Sequence, residues 1–129
     1  MREAAEDWSA VANNIPSSRA LGKILEASGI QRPEGYEAHH IVAGLKKLAD
    51  PARRILKHFG ININAAANGV FLPATEDTVN IGGEAVHRPL HTKEYIEAVN
   101  EALKKATTRQ DAINILQSIG RALQSGGYP

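Results

Sequence analysis

Four of the five histidines of this chain fall into two short stretches, Ala38-His39-His40 and His87-Arg88-Pro89-Leu90-His91. Residues 41–86 lie between them, so a fold that uses both must bring distant segments to one point. Neutral imidazole is the commonest nitrogen ligand for a divalent metal, and it can act as a general base near neutral pH. Adjacent histidines usually point different ways, so one can bind a metal while its neighbour does other work. Histidines at i and i+4 share one face of a helix and can share an ion. The two stretches together supply three ligands and one spare base, the set that metal-assisted hydrolysis needs. A lone histidine is more often an ordinary polar residue, but an adjacent pair with an H-x3-H is harder to explain that way.

The chain has no cysteine, so a metal would have to take nitrogen and oxygen ligands, and no disulfide framework is possible. Its 129 residues suit one domain, or one domain with a helical extension. Aromatic residues are only 5%, so Ala, Ile, Leu and Val must fill the core. The net charge of +1 says nothing about partners. Between Ala38 and Asn64, however, Lys46, Lys47, Arg53, Arg54 and Lys57 face the single acid Asp50. Such a patch either attracts phosphate or is a solvated helix face. No apolar run is long enough to span a bilayer, and Met1 to Asn14 lacks the apolar stretch of a signal peptide. The chain is nonetheless compatible with a fragment of a longer exported protein.

Apolar spacing predicts a helix over residues 2–13, broken at Asn13-Asn14-Ile15-Pro16, and a second helix capped by Ser17 or Ser18 and stopped by Gly29. Residues 36–42 read as a strand ending at the histidine pair. Asp50-Pro51 reads as a helix start, with Asp as the cap and Pro at the first helical position; Gly60 ends that helix. His58 on it is expected at the surface or a core edge. Val70-Phe71-Leu72, closed by Pro73, reads as a second strand pairing with the first. Residues 74–85 read as a polar loop. A helix is expected to begin near His87, with Pro89 in its first turn and Tyr95, Ile96, Val99, Ala102 and Leu103 on its apolar stripe. Thr108 and Asp111 then resemble a capping box for a last helix through Leu123.

A strand ending in His-His, an Asn at the next turn and strand, and then His-x3-His resembles the His-Asn-His nuclease superfamily with its ββα-metal fold. More narrowly, the chain resembles the AHH subfamily, the nuclease toxins of bacterial polymorphic toxin systems. The likeness is carried by Ala38-His39-His40-Ile41-Val42, Pro51-Ala52-Arg53 with Ile55-Leu56, Gly60-Ile61-Asn62-Ile63-Asn64 and Ala67-Asn68-Gly69-Val70-Phe71-Leu72-Pro73. It continues through His87 to His91, Tyr95 and Ala98-Val99-Asn100. It implies an α+β, mostly helical fold: a ββα-metal core with a small β-hairpin over 36–106. A helical extension over 1–35 and a C-terminal helix over 107–129 would flank that core.

The resemblance also implies roles. His40 would be the general base, taking a proton from the water that attacks the scissile phosphorus. His39, His87 and His91 would hold one divalent ion against a non-bridging phosphate oxygen and the leaving 3′ oxygen. Asn68 would bond across the hairpin loop and fix the backbone near the base; on turn chemistry alone it is simply the first residue of an Asn-Gly turn. His39 and His40 could exchange roles. Arg88, Arg53 and Arg54 are candidate phosphate contacts, with solvent-facing roles open for each. Three imidazoles favour Zn, Ni or Co, yet nucleases of this fold are often active with Mg or Mn. Tyr36 and Tyr95 read as core or rim residues.

The implied function is a DNA endonuclease without sequence readout, the toxic tip of a larger secreted protein. It would be monomeric, act in the target-cell cytoplasm and be neutralised by an acidic immunity protein. Two alternatives stay open: an RNase with the same site, and a zinc-stabilised module that binds nucleic acid without cutting it.

Overall fold

The computed structural model describes residues 2–74 and 91–128, with side chains from Glu6 onward. Among these, five helices surround one antiparallel strand pair. The order is α1 (Arg2–Ala12), α2 (Ser18–Ala27), β1 (Tyr36–His40), α3 (Asp50–His58), β2 (Gly69–Pro73), α4 (Lys93–Leu103) and α5 (Arg109–Gln124). The fold is thus α+β and mostly helical. No described helix is long and apolar enough to cross a membrane.

The register pairs Tyr36 with Pro73, Ala38 with Phe71, His39 with Val70 and His40 with Gly69. Alternation along a strand sends neighbours to opposite faces. Tyr36, Ala38 and Phe71 pack under Leu21 and Leu25 of α2. Val70 and Leu72 join the larger core, made with Tyr95, Ile96, Val99 and Leu103 of α4 and Ala112, Leu116, Ile119 and Leu123 of α5. The strands are therefore covered on both sides, which is why Val70-Phe71-Leu72 is apolar throughout rather than alternating.

Local chemistry explains most of the helix ends. Ser17 caps α2, its side chain accepting from the Ala20 amide at 3.1 Å. Gly29 (φ +96°) and Gly60 (φ +68°) take the left-handed conformation that follows a helix. Thr108 caps α5 by accepting from the Asp111 amide at 3.0 Å, while the Asp111 carboxylate reaches back to the Thr107 amide at 3.0 Å.

Two helix starts differ from the sequence reading. For α3 the cap is Ala49, because the 3-10 turn Lys47–Ala49 runs straight into the helix and makes Asp50 its first residue. The Ala52 amide is satisfied instead by Asn100 Oδ1 of α4, at 3.2 Å. Helix α4 begins at Lys93 rather than near His87. Its cap is Thr92, which accepts from the Tyr95 amide at 3.2 Å and has extended backbone. Ordinary Thr capping outweighs the Pro89 signal. His91 thus precedes the helix instead of lying on its face. His87, Arg88, Pro89 and the loop expected over 74–85 fall outside the described residues, except for Ala74.

Gly69 fixes how closely α2 lies on the strands. A Cβ at Gly69 would stand 2.6 Å from Leu21 Cδ1 and 3.1 Å from Leu25 Cδ1, and both leucines are fully buried. Gly69→Ala should therefore lower the unfolding free energy by about 1–3 kcal/mol through overpacking. Urea unfolding measures this; wild-type stability in the variant would show that α2 can give way.

Candidate active site at the end of the strand pair

β1 delivers the histidine pair to the point where the strand pair ends. His39 and His40 are both buried, and strand alternation turns them to opposite faces. His39 faces α4. Its ring centroid lies 4.8 Å from that of His91 and 5.8 Å from that of Tyr95. His40 shares the α2 face with Gly69, directly across the ladder. The opposite facing of two adjacent imidazoles is what the extended segment leads one to expect.

Hydrogen bonds settle which ring nitrogen carries the proton on the α4 side. The Tyr95 hydroxyl donates to the Ile41 carbonyl at 2.6 Å. Its one proton is committed there, so at 3.2 Å it accepts from His39 Nε2–H. His91 Nε2 stands 3.1 Å from the His40 carbonyl, which can only accept, so that nitrogen also carries its proton. In the neutral form of either ring the lone pair then sits on Nδ1. Burial holds the His91 imidazole below its ordinary pKa, with the nearby Lys46 charge adding to that and the His40 carbonyl opposing it. His91 is therefore neutral at pH 7, the form that can ligate a cation. Burial raises the Tyr95 hydroxyl well above its usual pKa, so it stays a donor.

Asn68 is fully buried at the end of the 3-10 turn Ala66–Asn68 that leads into β2. It is not the corner of a tight hairpin, since the whole of 41–68 connects the two strands. Its Oδ1 accepts from the Val42 amide at 2.8 Å, and its Nδ2 donates to the Ile63 carbonyl at 2.9 Å. The Asn68 carbonyl accepts from the Ile41 amide at 2.9 Å. Asn68 thus clips the chain just past the histidine pair to the far end of the connection.

The arginines of α3 divide. Arg53 Nη1 donates to the Ala43 carbonyl at 2.6 Å and its Nη2 pairs with Asp50. That guanidinium braces the segment after the histidines instead of facing solvent. Arg54 is exposed and shares a shallow hollow with His58, Phe59 and Lys104 rather than with the histidine pair. His58 is exposed, as expected, with its ring edge-on to Phe59.

Two residues of the site were not assigned to it from sequence. Tyr95 is a core residue, but its hydroxyl ties His39 to the strand end. Asn64, fully buried, lies with Oδ1 2.9 Å from His40 Nε2. The hints in the sequence were the amides alternating with isoleucines in Ile61-Asn62-Ile63-Asn64 and the place of that stretch in the family likeness.

The donor set fits a divalent cation as far as it is described. His39 and His91 stand side by side, each with Nε2–H given to an oxygen, the usual support for a metal-bound imidazole. Among the described residues there is no group of three potential ligands; His87, the third expected, lies outside them.

A strand pair followed by a helix, with imidazoles gathered at the strand end, is the framework of an HNH-like nuclease. Residues 21–123 match a family described as a nuclease family of the HNH/ENDO VII superfamily with conserved AHH. The chain belongs to this AHH family. Ala38-His39-His40 supplies the signature, and the matched range takes in α2 from Leu21 onward and α5 as far as Leu123. No curated protein and no solved structure matches the chain.

Tyr95→Phe keeps the ring in place but takes the acceptor from His39 Nε2–H and the donor from the buried Ile41 carbonyl. It should cost about 1–3 kcal/mol of stability. Chemical denaturation tests this; an unchanged midpoint would mean that the hydroxyl does not hold the strand end.

Proposed function

We propose that the protein is a metal-dependent endonuclease that hydrolyses phosphodiester bonds of DNA, with His40 as general base. One observation carries the division of roles. Of the two adjacent imidazoles, only His39 stands beside His91, while His40 faces the other side of the strand, toward Asn64. A ligand belongs with other ligands; a base needs its own position against a water.

His39 and His91, with His87 as the expected third, would hold the ion. Bound there, a divalent ion would supply positive charge to the phosphate and the leaving 3′ oxygen. His40 would take the proton of the attacking water as general base. Asn68 would keep the backbone after His40 from drifting, since a general base must stay within about 3 Å of its water. Arg88 remains a candidate phosphate contact, and Arg54 offers charge from the surface of α3. Arg53 is better read as a structural brace than as a phosphate ligand.

The imidazole set favours Zn or Ni, with Mg or Mn as alternative working ions. Family membership supports a nucleic-acid substrate, and DNA is the leading choice over RNA. As part of the same reading, the domain would be the toxic tip of a larger secreted protein acting in a target-cell cytoplasm, blocked in its producer by an immunity protein.

His40→Ala should abolish nicking of supercoiled plasmid, a loss of at least about 100-fold, with the fold and divalent-ion binding retained. A chelator should stop the wild-type protein. Undiminished cleavage by His40→Ala would refute the assigned base. Intact supercoils under Mg, Mn, Ni and Zn would favour the non-cutting module.

A further inference from the structure

The linker between α1 and α2 is stitched to the connection that carries Asn64. Asn14, at φ +54°, accepts from the Ile63 amide at 2.7 Å through Oδ1. Asn62 Nδ2 donates to the Val11 carbonyl at 2.6 Å. Asn64 Nδ2 donates to the Ile15 carbonyl at 2.7 Å, and Asn64 Oδ1 accepts from the Ser17 amide at 2.9 Å. Pro16 packs on Gly44, where a Cβ would lie 2.3 Å from its Cγ.

These contacts define the Asn64 amide at both ends. A main-chain carbonyl can only accept and a main-chain amide can only donate. The Ile15 carbonyl therefore requires the NH2 group on one side, and the Ser17 amide requires the oxygen on the other. That oxygen is the atom 2.9 Å from His40 Nε2. Facing an acceptor, Nε2 must carry the proton, so in the neutral ring the lone pair resides on Nδ1. Flipping the amide would set NH2 against the Ser17 N–H and oxygen against the Ile15 carbonyl, two buried mismatches at once.

We propose that Asn64 is a positioning residue that holds His40 in its Nε2–H form, and that the linker residues Ile15 and Ser17 set Asn64. This rests on reading His40 as the base. The segment before residue 21 lies outside the family match, yet through this relay it becomes part of the machinery that directs Nδ1 as the proton acceptor. The same bond also helps aim the ring, because it fixes the position of Nε2.

The test is long-range 1H–15N NMR of His40 in the full-length, metal-free protein, read beside plasmid cleavage with Mg or Mn. The wild type should show Nε2 protonated and Nδ1 bare. Asn64→Ala should give a mixture of the two forms and lose about 10- to 100-fold in cleavage. Asn64→Asp keeps an acceptor for Nε2–H, so it should retain the Nε2–H form and cleave at least tenfold faster than Asn64→Ala. Asn14→Gly keeps the left-handed turn but frees the linker from Ile63, and should shift form and rate the same way by less. A wild-type His40 protonated at Nδ1 overturns the proposal, as does Asn64→Ala with an unmixed Nε2–H form. Where Asn64→Ala fails to fold, the wild-type spectrum and Asn64→Asp still decide. Wild-type values for both readouts in Asn14→Gly remove the linker from the relay. A wild type that cuts nothing but shows these spectra would sink the nuclease reading and leave the positioning role standing.

Discussion

The structure depends on finding hydrogen-bond partners for a long buried connection that has almost no sheet to supply them. Residues 41–68 join two strands of five residues each, and much of that segment is buried. Three buried asparagines do what further strands would otherwise do. Asn68 serves Val42 and Ile63, Asn64 serves Ile15 and Ser17, and Asn100 serves Ala52 and the Leu48 carbonyl. A carboxamide presents the same donor and acceptor as a peptide group, so each behaves as a short piece of borrowed backbone. Among the described residues no buried side-chain polar atom lacks a partner. An unpartnered amide in such a core would cost a few kcal/mol, comparable to a large part of a small domain's stability.

The candidate site is a by-product of this stitching. Where β1 stops, the carbonyls of His40 and Ile41 no longer belong to a ladder, and they are taken by His91 Nε2–H and the Tyr95 hydroxyl. Helix α4 is thereby registered on the strand end by two side chains. The groups that satisfy orphaned backbone are the groups that orient imidazoles. Stability and chemistry therefore share residues here, and a change at Tyr95 reaches both.

What was legible in the sequence was what local chemistry decides. Ser17, Thr108, Gly29 and Gly60 end helices by interactions within a few residues, and each could be read directly. Val70-Phe71-Leu72 could be read as a strand because it is covered on both faces. The failures have a different origin. Asp50-Pro51 is a good local start signal, but Asn100 arrives from a distant helix and Asp50 turns to Arg53 instead. Pro89 drew attention from Thr92, the residue that caps α4. The charge count between Ala38 and Asn64 could not show that the Arg53 guanidinium turns inward. Asn64 and Tyr95 were illegible as site residues because their partners lie 24 and 56 positions away, and nothing in periodicity records such a meeting.

The pair of histidines shows why register matters more here than in an ordinary ribbon. A slip of one residue along β1 would exchange the faces of His39 and His40, setting the proposed base beside His91 and the proposed ligand beneath α2. Two features oppose the slip. Gly69 sits opposite His40 in the place where Leu21 and Leu25 leave no room for a Cβ. A slipped β2 would push Val70 or Asn68 toward that gap. Asn68 also grips Val42 by its amide, and the carbonyl of Asn68 holds Ile41, so both ends of the strand exit are pinned to one residue. The conformational choice that separates the proposed ligand from the proposed base is thus made by a glycine and an asparagine adjacent in sequence. Neither needs to touch a substrate to determine what the histidines can do.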